Sequence, residues 1–176
     1  RYGFQAAADK IAAARLLCGF YLRTDRFGDI DNLVQSLLGA KNADRVAVYL
    51  LYGDFLSVRN ADQAKAAYDK AVAADPNDPR GHRQLAAFYA ATDQYKQAVD
   101  AMQKYFRLNP QASDRDQKAM VGYLIQARMY DQASARLDQL LSKSPADVVA
   151  LNLRSALEAA RGHLQQAEEY LTTAVT

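Results

Sequence analysis

Apolar residues recur along this chain at three- and four-residue steps. Within residues 79–112, Leu85, Ala86 and Tyr89 fall at i, i+1 and i+4. After a break at Asp93-Gln94, Ala98, Met102 and Tyr105 fall at i, i+4 and i+7. That is the 3.6-residue period of an amphipathic helix, read twice with a turn between. The two-helix pattern then repeats. Ala64, Ala98, Ala133 and Ala167 are separated by 34, 35 and 34 residues, and Phe55, Tyr89 and Leu124 by 34 and 35. Pro76, Pro110 and Pro145 keep the same steps. Self-similarity at this period predicts an all-α solenoid of stacked helical hairpins. Such an array places function on an extended surface rather than in one globular pocket.

Aligned on the repeating alanine, the frames run 11–44, 45–78, 79–112, 114–147 and 148–176, with one extra residue near Ser113. Ten helices are expected, about 5–23, 28–40, 44–58, 61–74, 79–91, 95–107, 114–128, 131–143, 147–160 and 164–175. Residues 1–176 read as a single repeat domain, part of a longer array. The turns carry stop and start signals. In Asp75-Pro76-Asn77-Asp78-Pro79, Pro76 cannot continue a helix, Asp78 can cap the next, and Pro79 suits its first turn. Ser144-Pro145-Ala146-Asp147 repeats the device with Asp147 as the cap. Ser113 with Asp116 three residues on resembles a capping box, aspartate replacing the usual glutamate.

Composition narrows the function classes. A formal charge of +2 on 176 residues is too small to announce a nucleic-acid protein by bulk electrostatics. Cys18 is the only cysteine; set among apolar residues, it reads as a buried, inert thiol. The longest apolar run is too short to span a bilayer. His82 and His163 stand in different repeats without metal-ligand spacing, and His82, near a helix start, reads as a packing or capping residue. No phosphate loop or nucleophile elbow is present. Asp25, Asp29 and Asp31 read as helix-cap and dipole chemistry. The sequence therefore names no catalytic residue, no metal ligand and no cofactor.

The repeated residues resemble the tetratricopeptide repeat, whose unit of about 34 residues places small side chains at helix crossings and proline near its end. Frame 45–78 supplies Val48, Leu51, Phe55, Ala64, Tyr68, Ala71 and Pro76. Frame 79–112 supplies Leu85, Ala86, Tyr89, Ala98, Met102 and Pro110. Frame 114–147 supplies Met120, Val121, Leu124, Ala133, Leu137 and Pro145. The resemblance, strongest to bacterial arrays, implies a right-handed superhelix of about five repeats. There are departures. In the first frame Ile30 replaces a small residue and no proline closes the repeat. Tyr52 stands where a small side chain is the rule, with an alanine-rich partner helix (Ala64, Ala66, Ala67, Ala71) to make room for its ring. Arg154 and Glu158 replace apolar residues in the last frame, where Leu151, Leu153 and Leu157 suggest a shifted register.

The resemblance also implies that first helices line a concave face, through positions 2, 5, 9, 12 and 13 of each frame. Position 9 is small throughout: Gly19, Gly53, Ala87, Gly122 and Ala156. Around it stand Arg15, Arg23, Arg80, Arg83, Arg115 and Lys118, with Tyr49, and no acid occupies these positions. The expected ligand groove is therefore cationic and low-floored, suited to an extended and acidic protein or peptide segment. A clamp for chaperone C-termini is not expected, because its two asparagines are replaced in either register. Those positions hold Gly19 and Leu50, or Gly53 and Gln84. The implied function is a non-catalytic protein–protein interaction scaffold. The alternatives are a docking arm of a larger enzyme or envelope assembly for secretion or polysaccharide export, and a helical-repeat RNA binder. Finally, Leu164, Ala167, Leu171, Ala174 and Val175 form an apolar face on the last helix. It predicts either further repeats or end-to-end self-association.

Overall fold

A computed structural model describes residues 2–175, with side chains from residue 9 onward. The described residues form ten helices and no strand. These are α1 (Tyr2–Arg23), α2 (Phe27–Leu38), α3 (Arg45–Leu56), α4 (Ala61–Ala74) and α5 (Pro79–Ala91), followed by α6 (Tyr95–Leu108), α7 (Asp114–Gln126), α8 (Tyr130–Lys143), α9 (Val148–Ala160) and α10 (Leu164–Val175). Every expected helix is found, with ends that differ by three residues at most. The chain folds as two compact units, one up to Leu85 and one from Ala86 on, with α5 contributing to both.

Side chains set where these helices begin. Asp44, Asn60, Ser113 and Asp147 each accept a hydrogen bond from the backbone N–H three residues on, at 3.0–3.2 Å. Each satisfies one of the donors that a helix start leaves unpaired. Asp78 does the same for the N–H of Arg80. Ser113 with Asp116 supplies the capping hydrogen bond expected of the pair, and the Asp116 side chain adds to it. Its carboxylate accepts hydroxyl hydrogen bonds from Ser113 (2.7 Å) and Tyr105 (2.8 Å), and it is buried between them.

The turns within four hairpins share one geometry. Asp25, Asp93, Arg128 and Gly162, at position 15 of their frames, adopt φ of 56°, 58°, 60° and 87°. The next residue's N–H then reaches back to the carbonyl of position 11, as in Arg26 to Tyr21, Gln94 to Tyr89, Met129 to Leu124 and His163 to Glu158, at 2.8–2.9 Å. This is a Schellman closure, in which a left-handed residue turns the chain and satisfies a terminal carbonyl. Asp25 thus has a turn role, while Asp29 pairs with Arg26 and Asp31 accepts from Tyr52.

The repeated apolar positions form the core. In the first unit Ala14, Cys18, Ile30, Val34, Val48 and Leu51 make a buried cluster from α1, α2 and α3. Tyr68 and the alanines at 64, 67 and 71 close α4 onto α3. In the second unit Met102, Met120, Val121, Leu124, Leu137, Leu151 and Leu157 are enclosed. Tyr52 packs against the first-unit cluster, and its hydroxyl donates to Asp31 of α2 at 2.7 Å.

The last frame keeps its register. Leu151, Arg154, Ser155 and Glu158 are all buried, at the same frame positions as Val48, Leu51, Tyr52 and Phe55, while Leu153 is only half-buried. The expected shift does not occur because hydrogen bonds replace apolar contact. Arg154 donates to Ser134 and pairs with Asp138, both on α8. Ser155 donates to the carbonyl of Ala167 at 2.7 Å. Glu158 lies 2.9 Å from His163 Nδ1 and 3.7 Å from Arg161 Nη1. Buried polar groups persist when so partnered.

Candidate functional site

The first helices carry the predicted groove residues, and they are described unit by unit. In the first unit Arg15 of α1 pairs with Asp54 of α3 at 2.9 Å. Asp54 also accepts from Tyr68 (3.1 Å) and from the amide of Gln84 (2.7 Å), so one carboxylate joins α1, α3, α4 and α5. Burial pushes the Tyr68 phenol up to about 12, with the Asp54 charge adding to it. Arg80 is held by two aspartates. It donates to Asp44 through both terminal nitrogens (2.9 and 3.1 Å) and to Asp78 at 2.6–3.0 Å. Burial alone would raise the Asp78 carboxyl, but hydrogen bonds from the Arg80 side chain and backbone outweigh it and hold the carboxyl below its ordinary value. Arg23 and Arg83 are exposed, and Tyr49 is half-buried.

Gly53 lies in this unit, but its missing side chain does not leave an open floor. A Cβ there would stand 2.8 Å from Cζ of Tyr68 and closer still to two other ring carbons. The glycine makes room for the tyrosine that Asp54 then holds. At Gly19 only the Arg23 guanidinium comes near, at 3.7 Å from where a Cβ would be.

In the second unit, Lys118 of α7 pairs with Asp147, the cap of α9. That hydrogen bond, with the N–H of Ala150, holds the Asp147 carboxyl below its ordinary range. Gly122 has no atom within 4 Å of its Cβ position, Ala87 is exposed, and so is Arg115. Among the predicted cations, Arg15 has a carboxylate partner on α3 and Arg80 and Lys118 have partners among the helix caps. The groove positions hold no acid, as expected, but acids one step away reach them. Sequence reasoning treated Asp78 and Asp147 only as caps. Their recurrence with Asp44 at position 34 of three frames was the available signal, since a cap abuts positions 2 and 5 of the first helices.

His82 is a packing residue, with Nε2 at 3.1 Å from the carbonyl of Pro76. Cys18 is fully enclosed, and burial pushes its thiol up. Among the described residues no group of three or more histidines, cysteines or acids is placed to hold a metal. Among them, too, no helix is long and apolar enough to cross a membrane.

A helical hairpin repeated along the chain, closed in four cases by one turn geometry, defines a helical-repeat protein. Tetratricopeptide-repeat models match residues 48–78 and 67–100, so the helical hairpins there are tetratricopeptide repeats. Solved structures share the fold. A MamA protein aligns over 96% of this chain and 91% of its own at 16% identity, with a TM-score of 0.69. MamA of AMB-1 aligns over 92% and 95% at 16% identity and 0.70. MamA from Desulfovibrio magneticus RS-1, from residue 41 to its end, aligns over 75% of each chain at 21% identity and 0.63. No curated protein matches the chain by sequence. The family is a protein-interaction scaffold family.

Proposed function

We propose that this chain is a non-catalytic adaptor that binds an extended protein or peptide segment along its first-helix face, and that the segment is acidic. In this reading Arg23, Arg83 and Arg115 are the exposed cations that meet ligand carboxylates. Arg15, Arg80 and Lys118, braced by aspartates, shape the walls and offer remaining N–H groups. The observation that carries the reading is the clearance at position 9. Gly122 opens to empty space, Gly19 meets only Arg23, and Ala87 is exposed, so a ligand main chain can approach the helix backbone.

Fluorescence anisotropy with labelled extended peptides tests it. Acidic peptides bind and neutral ones of equal length bind at least tenfold more weakly. Arg83→Glu with Arg115→Glu abolishes acidic-peptide binding at unchanged helical content, since exposed charge changes cost within about 0.5 kcal/mol. Equal affinity for both peptide classes removes the acidic-ligand reading. Binding of polyuridylate with a steep salt slope would replace it with an RNA-binding one.

A further inference from the structure

Among the described arginines, three are not exposed: Arg136 of α8, Arg154 of α9, and Arg161 at the end of α9. Arg154 pairs with Asp138 and Arg161 with Asp131, so both aspartates of α8 are engaged on its α9 side. Arg136 has no carboxylate partner among the described residues. Its Nη1 donates to the side-chain oxygen of Gln117 on α7 at 2.7 Å, and its guanidinium carbon stands 5.1 Å from the centre of the Phe106 ring on α6. Burial holds this guanidinium below its ordinary value, and no neighbouring charge offsets the effect. A partly buried cation without a counter-ion carries a solvation cost. An amide oxygen and a ring face are polar but uncharged, and together they fix the plane of the guanidinium without neutralising it. Its other N–H edges remain available for two acceptor oxygens.

The surroundings carry no acid. Helices α6 and α8 each pack on α7, which supplies Gln117. On α6, Gln103 lies one turn before Phe106, and Arg107 follows it and is exposed. On α8, Gln132 and Gln139 lie one turn to either side of Arg136, and both are exposed. Residues at these spacings share a helix face.

We propose that Arg136 receives a single carboxylate, carried by an acidic side chain of a partner protein that docks on the second helices α6 and α8. This site lies apart from the first-helix face and does not rest on the acidic-ligand reading of that face. One arginine balances one negative charge, and a carboxylate presents two coplanar oxygens to the guanidinium edge. Phe106, half-buried, offers an apolar wall to the methylene groups behind the carboxylate. A phosphate ester, with nearly two charges, calls for an arginine cluster instead.

Arginine side-chain NMR on the nitrogen-15-labelled 176-residue chain tests this. The probes are hexaglutamate, hexaglutamine and inorganic phosphate. The Arg136 Nε–H signal, assigned by its loss in Arg136→Lys, shifts saturably with hexaglutamate before the signals of exposed Arg107 and Arg128 move. Hexaglutamine leaves it in place. The shift persists in Arg115→Glu, whose change lies on the first-helix face. In Arg136→Lys the backbone shifts that hexaglutamate induces in α6 and α8 need roughly fivefold more peptide, because an ammonium lacks the planar fork. An Arg136 signal that stays still, or moves only in step with every exposed arginine, overturns the proposal. So does a shift lost in Arg115→Glu, which would mean that Arg136 merely reports binding on the first helices. A shift with phosphate and none with hexaglutamate overturns the carboxylate assignment and gives the site to a phosphorylated ligand.

Discussion

Two glycines at the same frame position do opposite things. Gly53 is filled by its neighbour: the Tyr68 ring occupies the volume a side chain would need, and its hydroxyl is anchored on Asp54. Gly122 has nothing above it. Gly53→Ala should therefore cost roughly 1–3 kcal/mol, the usual penalty for forcing a methyl group into a packed site. Gly122→Ala should instead stabilise by about 0.5–1 kcal/mol, because a helical glycine loses the most backbone entropy on folding. Urea unfolding of the two variants checks both. The same Gly122→Ala chain should lose affinity for an extended ligand if the clear floor is used for binding, so stability and binding should move in opposite directions. From sequence alone the two glycines were indistinguishable. Both are small residues at position 9, and only the neighbouring helix decides whether the gap is filled.

At the scale of helices and turns, polar residues act where the repeat pattern is least regular. Arg154 takes a core position and is buried, with Nε lacking a hydrogen-bond partner among the described residues. Arg154→Leu, which restores the apolar residue used by interior repeats, should be neutral or stabilising by up to a few kcal/mol. Asp138→Ala removes its carboxylate partner and leaves the guanidinium buried, and should be destabilising even though Asp138 itself is largely exposed. Thermal melts of both variants decide between this and a purely structural arginine that tolerates neither change. The caps give a pH dependence. Asp147 and Asp78 are held below their ordinary value of 3.8 in the folded chain. Their stabilisation is present above that value and is lost as pH falls through the depressed folded values. Asp147→Asn should flatten the acid limb of the stability curve, and so should Lys118→Ala, which removes the main cause of the shift. Helix ends were legible in advance wherever Asp, Asn or Ser stood before an apolar run. The Arg154 cluster was not, because a pattern of apolar positions has no place for a core arginine and reads it as a slipped register. Its partners at 134 and 138 lie on the preceding helix, 20 and 16 residues away, beyond the reach of local periodicity.

For the whole molecule, each repeat buries its apolar face only against its neighbours, so stability is approximately a sum of local and nearest-neighbour contributions. The 34-residue period therefore disclosed the architecture, since every frame repeats the same packing problem. It disclosed less about the first-helix cations, whose ion pairs between successive frames depend on rotamers that no spacing encodes. Nearest-neighbour stability also predicts where the chain opens first. Away from the two ends, Leu51, Met120 and Leu124 are fully enclosed or nearly so. Helices α1 and α10 leave Leu17 and Leu171 part-exposed at positions that interior frames bury. Native-state hydrogen exchange at low protein concentration should show protection greatest over roughly residues 60 to 130 and falling toward both ends. Uniform protection from α1 to α10 would show instead that the chain unfolds as one cooperative block.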